Sequence, residues 1–94
     1  KRKLYIGKCT NYFKKIGVAE FKLETNNLKV GEEIIVTGPT TGVFQGEVPE
    51  IRFELNPVKE GLKGQRISVP IDTIIRRADK LYKMIDAKEV KERR

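Results

Sequence analysis

Leu28-Lys29-Val30-Gly31-Glu32-Glu33-Ile34-Ile35-Val36 is the stretch from which the rest of this 94-residue chain can be read. A short apolar approach, Leu28 and Val30, meets a glycine, then two acids, then an unbroken β-branched run. Gly31 can take a positive φ without steric cost, so it suits a tight corner. Ile34, Ile35 and Val36 are stiff at χ1 and favour a strand. The stretch therefore predicts a turn feeding a buried strand that runs to Thr37, with Ile34, Ile35 and Val36 filling a core. Neighbouring strand residues point to opposite faces, so Glu32 and Glu33 do not converge as a catalytic carboxylate pair.

The same punctuation continues on both sides. Upstream, Leu4–Phe13 and Ile16–Glu24 read as strands separated by the polar corner Lys14-Lys15. The second of them alternates Ala19, Phe21 and Leu23 against Lys22 and Glu24. Thr25-Asn26-Asn27 is turn chemistry. Downstream, Gly38-Pro39-Thr40-Thr41-Gly42 reads as a loop, because proline cannot donate to a ladder and glycine brackets it. Val43–Leu55 is the longest extended run. Its apolar phase slips by one residue at Pro49, which predicts a bulge or break there. Residues 56–64 read as a loop. Gln65–Ile71 alternates cleanly, with Ile67, Val69 and Ile71 inward and Pro70 marking an edge or strand end. Asp72 is placed to cap one helical turn over residues 73–75. Lys80–Ile85 is a last short strand.

Short strands at this spacing, with no sustained helical period, predict an all-β fold: a small closed barrel of six to seven strands. Closure would remove the edges that invite aggregation. The chain divides into a basic linker at residues 1–3, a β-barrel domain at 4–85 and a charged tail at 86–94. It begins without Met and in the middle of a charged run, which reads as a piece cut or processed from a longer protein.

Composition narrows the function classes. Ninety-four residues form one domain with one modest core, burying roughly 60–65% of the unfolded surface. Apolar residues make up 38% and there is no Trp, so the four Phe and three Tyr are expected to supply most of the large core side chains. The absence of His removes the commonest general base and zinc ligand. The single Cys9 excludes an internal disulfide or a multi-thiolate metal site. In a strand it reads as a small core residue. A chain without disulfides suits a reducing, cytoplasmic setting. No apolar run approaches the roughly 18 residues needed to span a bilayer, so no membrane partner is expected. The net charge is +7, of which Lys1-Arg2-Lys3 carries three and the tail one. The body is mildly basic, which favours an anionic partner such as RNA.

Three segments admit a binding reading beside a structural one. Tyr12-Phe13-Lys14-Lys15 offers rings for base stacking and lysines for phosphate, or else a core Phe13 beside a solvated corner. Gly38–Gly42 offers free N–H groups and two hydroxyls to a phosphate. It lacks the lysine and helix of a P-loop and also reads as a plain turn. Arg76, Arg77, Lys80 and Lys83 form the densest positive cluster, suited to salt-sensitive phosphate contacts or to a solvated face neutralised by Asp72 and Asp79. The contacts expected for a substrate or RNA are Tyr12, Lys14, Lys15, Arg76, Arg77 and Lys80.

Leu28–Ile34, Glu60-Gly61-Leu62-Lys63-Gly64 before Ile67-Ser68-Val69, and Arg76-Arg77-Ala78-Asp79-Lys80-Leu81 together resemble the second domain of translational GTPases such as elongation factor Tu. There the last element often reads Arg-x-Gly-Asp; here Ala78 stands at the glycine. Gly7–Glu20 and Gly38–Gly42 resemble more closely the opening signatures of a barrel found as the C-terminal domain of collagenase-like peptidases, family U-32. The match covers roughly residues 5–85. The resemblance implies a translation-factor domain 2-like barrel without catalytic residues or cofactors of its own. Its partner would be the preceding catalytic domain of the same parent chain, for which it would position RNA (tRNA or rRNA) or a protein substrate. Members of that family are tied to hydroxylation of RNA or quinones, with a cysteine-held iron–sulfur cluster that a chain with one cysteine cannot hold alone. The alternatives are a purely structural packing or dimerisation module and a stand-alone elongation-factor-like RNA-binding protein.

Overall fold

In the computed structural model, residues 1–86 are described, and they are all β with no helix. The strands are β1 (Arg2–Phe13), β2 (Val18–Leu23), β3 (Leu28–Lys29), β4 (Glu33–Gly38), β5 (Gly42–Glu47), β6 (Ile51–Phe53), β7 (Asn56–Val58), β8 (Glu60–Gly61), β9 (Arg66–Pro70) and β10 (Lys80–Ile85). Eight of them form one antiparallel sheet in the order β5-β4-β10-β1-β2-β9-β6-β7, and β3 pairs with β8. The expected six to seven strands thus become ten among the described residues, from two to 12 residues long. The ladder runs open from β5 to β7 where a closed barrel was expected.

The corner forms as its residues dictate. Gly31 has φ +94°, at the third position of a turn in which the Glu32 N–H donates to the Lys29 carbonyl. The Gly31 N–H donates to Val48 O (2.8 Å), and the Val48 N–H returns to Glu32 O (2.9 Å). The turn falls where it was predicted, with Leu28 and Lys29 before it pairing as β3 and the predicted strand following it as β4. Ile34 and Val36 are buried, but Ile35 points to the other face and is half-buried. The break predicted at Pro49 separates β5 from β6.

The remaining differences have local causes. The stretch read as a loop over 56–64 contains β7 and β8. β7 tolerates Pro57 because it is an edge strand with one neighbour. The turn between β6 and β7 has positive φ at both Glu54 and Leu55, where Asn-Gly would be the expected pair. No helical turn follows Asp72; residues 74–76 run irregularly. Instead, the Ile71 N–H donates to Gly17 O and the Ala78 N–H to Cys9 O, which hold the link between β9 and β10 against the β1–β2 turn and the body of β1. The tail beyond residue 86 lies outside the described residues.

One core holds Ile6, Cys9, Ala19, Phe21, Leu23, Leu28, Ile34, Val36, Val48, Ile51, Ile67, Val69, Ile71, Ile75 and Leu81. The alternations in β2 and β9 are those expected. The aromatic core is not: Phe21 is the one fully buried ring among the described residues. Aliphatic β-branched side chains fill the narrow space instead, and Phe13, expected inside, is 41% exposed.

Candidate functional site

Five of the expected contacts lie at two places. Lys14 and Lys15 are exposed in the β1–β2 turn, which the Gly17 N–H closes by donating to Phe13 O (2.9 Å). Arg76 and Arg77 are exposed in the β9–β10 link, and Lys80 opens β10. The sixth, Tyr12, is half-buried against the core and donates its hydroxyl to Ile71 O at 2.7 Å. Burial, with a smaller contribution from Asp72, raises its pKa.

Lys83 does not belong to the positive cluster. It is 6% exposed; its Nζ donates to Asn27 O at 2.9 Å and lies 3.5 Å from Glu32 Oε2. Alternation along β10 turns Lys83 to the same side as Leu81, where a partly buried carboxylate receives it. Asp79 does not neutralise the guanidinium groups either. It is buried, and its carboxylate accepts from the Thr41 hydroxyl and from the Arg76 N–H at 2.9 Å. The sequence Arg76–Asp79 is thus a clasp that pins the β9–β10 link onto the β4–β5 turn. Gly38 is required there because a Cβ would stand 1.9 Å from Asp79 Oδ1. The clasp engages the Thr41 hydroxyl, one of the two that could have met a phosphate. Ala78 holds φ +72°.

The two acids of the corner separate as expected. Glu32 accepts from the Lys29 N–H at 2.7 Å and reaches Lys83. Glu33 pairs with Lys1 at 3.2 Å and accepts from the Gln45 amide, which lowers its pKa. Cys9 is buried, and burial pushes its thiol up to about 11. Among the described residues no group of three or more His, Cys, Asp or Glu is placed to hold a metal.

Two surface features were missed by reading the sequence alone. Lys8, Lys22 and Arg66 stand beside Lys80 on the outward face of four adjacent strands. Their signal, single outward cations in separate strands, becomes a pattern only once the register is known. The second is a groove of ≈ 610 Å³ lined by Phe13, Ile16, Val18, Leu55 and Pro70, with the Glu50–Arg52 ion pair at its rim. Ile16 and Leu55 are 71% and 89% exposed.

This is a small all-β domain with a basic face and an apolar groove. No family model matches the chain. Over 83 residues it is 51% identical to a collagenase of Porphyromonas gingivalis, covering 88% of this chain and 20% of that protein. Over 81 residues it is 35% identical to an uncharacterized protease of Methanocaldococcus jannaschii, covering 86% of this chain and 20% of that one. The chain spans about a fifth of the length of these curated relatives. The crystal structure of the C-terminal domain of a Geobacillus thermoleovorans protein assigned to the U32 peptidases shares the fold. It matches with TM-score 0.79 and 18% identity, over 86% of this chain and 92% of that one. In sequence the chain resembles a segment of these collagenase and protease relatives, and in fold it resembles the C-terminal domain of that U32 peptidase. Among the described residues no helix is long and apolar enough to cross a membrane.

Proposed function

We propose that this domain is a non-catalytic accessory module of a peptidase-family protein and positions a macromolecular substrate for the catalytic domain that precedes it. RNA fits its surface better than protein does. The observation that carries this reading is a contrast between two sets of side chains. The groups that could do chemistry are engaged structurally: Cys9 and Asp79 are buried, and Glu32 and Glu33 point to different partners. Lys14, Lys15, Arg76, Arg77 and Lys80 are exposed and carry no ion pair among the described residues. The buried lone thiol suits a cytoplasmic setting, and the order of short antiparallel strands is akin to translation-factor domain 2.

The test is binding of the 94-residue chain to tRNA and to polyglutamate at about 50 mM and about 200 mM salt. Binding to tRNA that weakens with salt supports the RNA reading. Binding to neither polyanion even at low salt refutes it.

A second reading, packing on the parent domain or dimerisation, is favoured by one observation. Leu55 is held at φ +70° and 89% exposed at the apolar groove. A leucine strained into the left-handed region and presented to solvent is what a contact surface retains against stability. Replacing Leu55 and Ile16 by serine would then free the module from its parent domain or dissociate a dimer, with tRNA binding intact.

A further inference from the structure

The strand register places four cations in one line. Lys80 of β10 is opposite Lys8 of β1, Lys8 is opposite Lys22 of β2, and Lys22 is opposite Arg66 of β9. Directly opposed residues share a face, and here it is the outward one. The inward neighbours Leu81, Cys9, Phe21 and Ile67 are all buried. Like charges directly opposite each other destabilise a sheet. Four in succession across four strands therefore work against the fold, and only one has a carboxylate within reach, Lys8 at 3.9 Å from Glu24. Lys22, Arg66 and Lys80 have no ion pair among the described residues. Arg77 adds a fifth cation in the shallow groove it shares with Lys8 and Arg66.

Beside the row, on the same face, Tyr5 is opposite Tyr82, with ring centroids 5.7 Å apart at 75° and Lys3 Nζ 4.6 Å above the Tyr82 ring. Of the carboxylates on this face, Glu24 is engaged by the Tyr5 hydroxyl at 2.6 Å and Glu20 by that of Thr10 at 2.8 Å, and Glu33 and Glu47 lie away from the row on β4 and β5. A row of phosphate-binding cations flanked by aromatic rings is the combination that holds a single nucleic-acid strand. An acidic peptide would use the cations but not the rings.

We propose that Lys80, Lys8, Lys22 and Arg66 form a track for the phosphates of a single nucleic-acid strand laid across the β-strands, with Tyr5 and Tyr82 stacking its bases. The proposal rests on the RNA reading above and names the side chains that reading lacked. At strand spacings of about 4.8 Å the row is about 14 Å long.

The test is fluorescence anisotropy of a labelled oligouridylate, with an oligothymidylate of equal length and polyglutamate as competitors, read over a salt series. The track predicts that K8Q/K22Q/R66Q/K80Q weakens oligouridylate binding at least about 100-fold at low salt and flattens the log K against log salt slope by about 3. The charge-preserving K8R/K22R/R66K/K80R retains wild-type binding. Removing four opposed cations leaves the quadruple variant's thermal midpoint at or above that of wild type, which separates lost binding from lost folding. Y82L weakens binding about 5-fold or more with the slope unchanged. Equal competition by oligothymidylate is expected of sequence-blind phosphate contacts; competition by oligouridylate alone would assign part of the recognition to the 2′-hydroxyl and keep the track. Unchanged binding of the quadruple variant overturns the track while leaving the RNA reading intact, and so does tRNA binding without oligouridylate binding. Polyglutamate competing as well as oligouridylate overturns the nucleic-acid assignment. Failure of the wild type to bind any RNA overturns both.

Discussion

The clasp at Asp79 permits a quantitative test of how the β9–β10 link is held. Asp79→Ala removes the acceptor of the Thr41 hydroxyl and of the Arg76 N–H. Hydrogen bonds to a charged group are worth about 1.5–3 kcal/mol each. Arg76 and Thr41 lie near the surface and can recover some bonding from water, so the loss expected is about 3–4 kcal/mol. A domain of this size has about 5–14 kcal/mol in all. With about 4–8 °C per kcal/mol, the thermal midpoint should fall by about 12–30 °C. Gly38→Ala alone should cost about 1–3 kcal/mol, because its Cβ would stand 1.9 Å from Oδ1 and 3.0 Å from Oδ2 of a carboxylate pinned by two bonds. In the double variant that collision is gone, so the two losses should fall short of additivity by about 1–3 kcal/mol. Urea unfolding followed by circular dichroism measures all four corners of the cycle. Additivity within about 0.5 kcal/mol would show that Asp79 does not dictate glycine at position 38, and a loss below about 1 kcal/mol for Asp79→Ala would refute the clasp itself.

Ala78→Gly should stabilise the chain by about 0.5–1 kcal/mol, since φ +72° costs an L-residue more than glycine loses in unfolded-state entropy; an unchanged urea midpoint would contradict this. Glu54→Asn with Leu55→Gly should add about 1–2 kcal/mol by matching the two positive φ values of the β6–β7 turn, read from the thermal midpoint. Lys83→Met should cost about 1–3 kcal/mol by leaving Asn27 O and Glu32 without their cation, with less further loss when Glu32→Gln is added, as urea unfolding would show. Cys9 has its pKa raised to about 11 by burial, and Tyr5 to about 12 chiefly by donating to Glu24. In the alkaline range the folded state holds protons that the unfolded state releases. Their contribution is whole below about pH 9 and is lost as pH rises through 11 to 12, so a stability–pH curve should fall across that window. Cys9 should react with thiol reagents at pH 8 only at the rate of global opening.

Much of the fold was legible because it rests on local chemistry. Gly31 turns where a positive φ was needed, Pro49 breaks the long extended run, and the alternations of β2 and β9 place Phe21, Leu23, Ile67 and Val69 inside. The misjudged parts depend on partners distant in sequence. β7 and β8 are too short for any period to register, and they exist because β6 and β3 present ladders to them. Lys83 looked like surface charge because nothing near it in sequence announces Glu32. The cation row was hidden for the same reason: Lys8, Lys22, Arg66 and Lys80 are unremarkable singly, and only the register lines them up. Arg76, Arg77, Lys14 and Lys15 were legible as exposed cations, since turns and links rarely bury them.

The strand order has a consequence for how the domain is made. β1 and β10, the first and last described strands, pair with each other from Arg2↔Ile85 to Lys8↔Lys80 in the middle of the sheet. During synthesis at about 5–20 residues per second, β1 must wait several seconds on the ribosome with one flank open until β10 emerges. The nascent chain is then vulnerable along its longest strand, and a stop codon before Leu81 would remove the middle of the sheet rather than trim its rim. The same adjacency makes a short loop from residue 86 to residue 1 feasible. A circular permutant opened at the exposed Pro39-Thr40 turn would deliver β10 and β1 together, and should refold faster than the natural order.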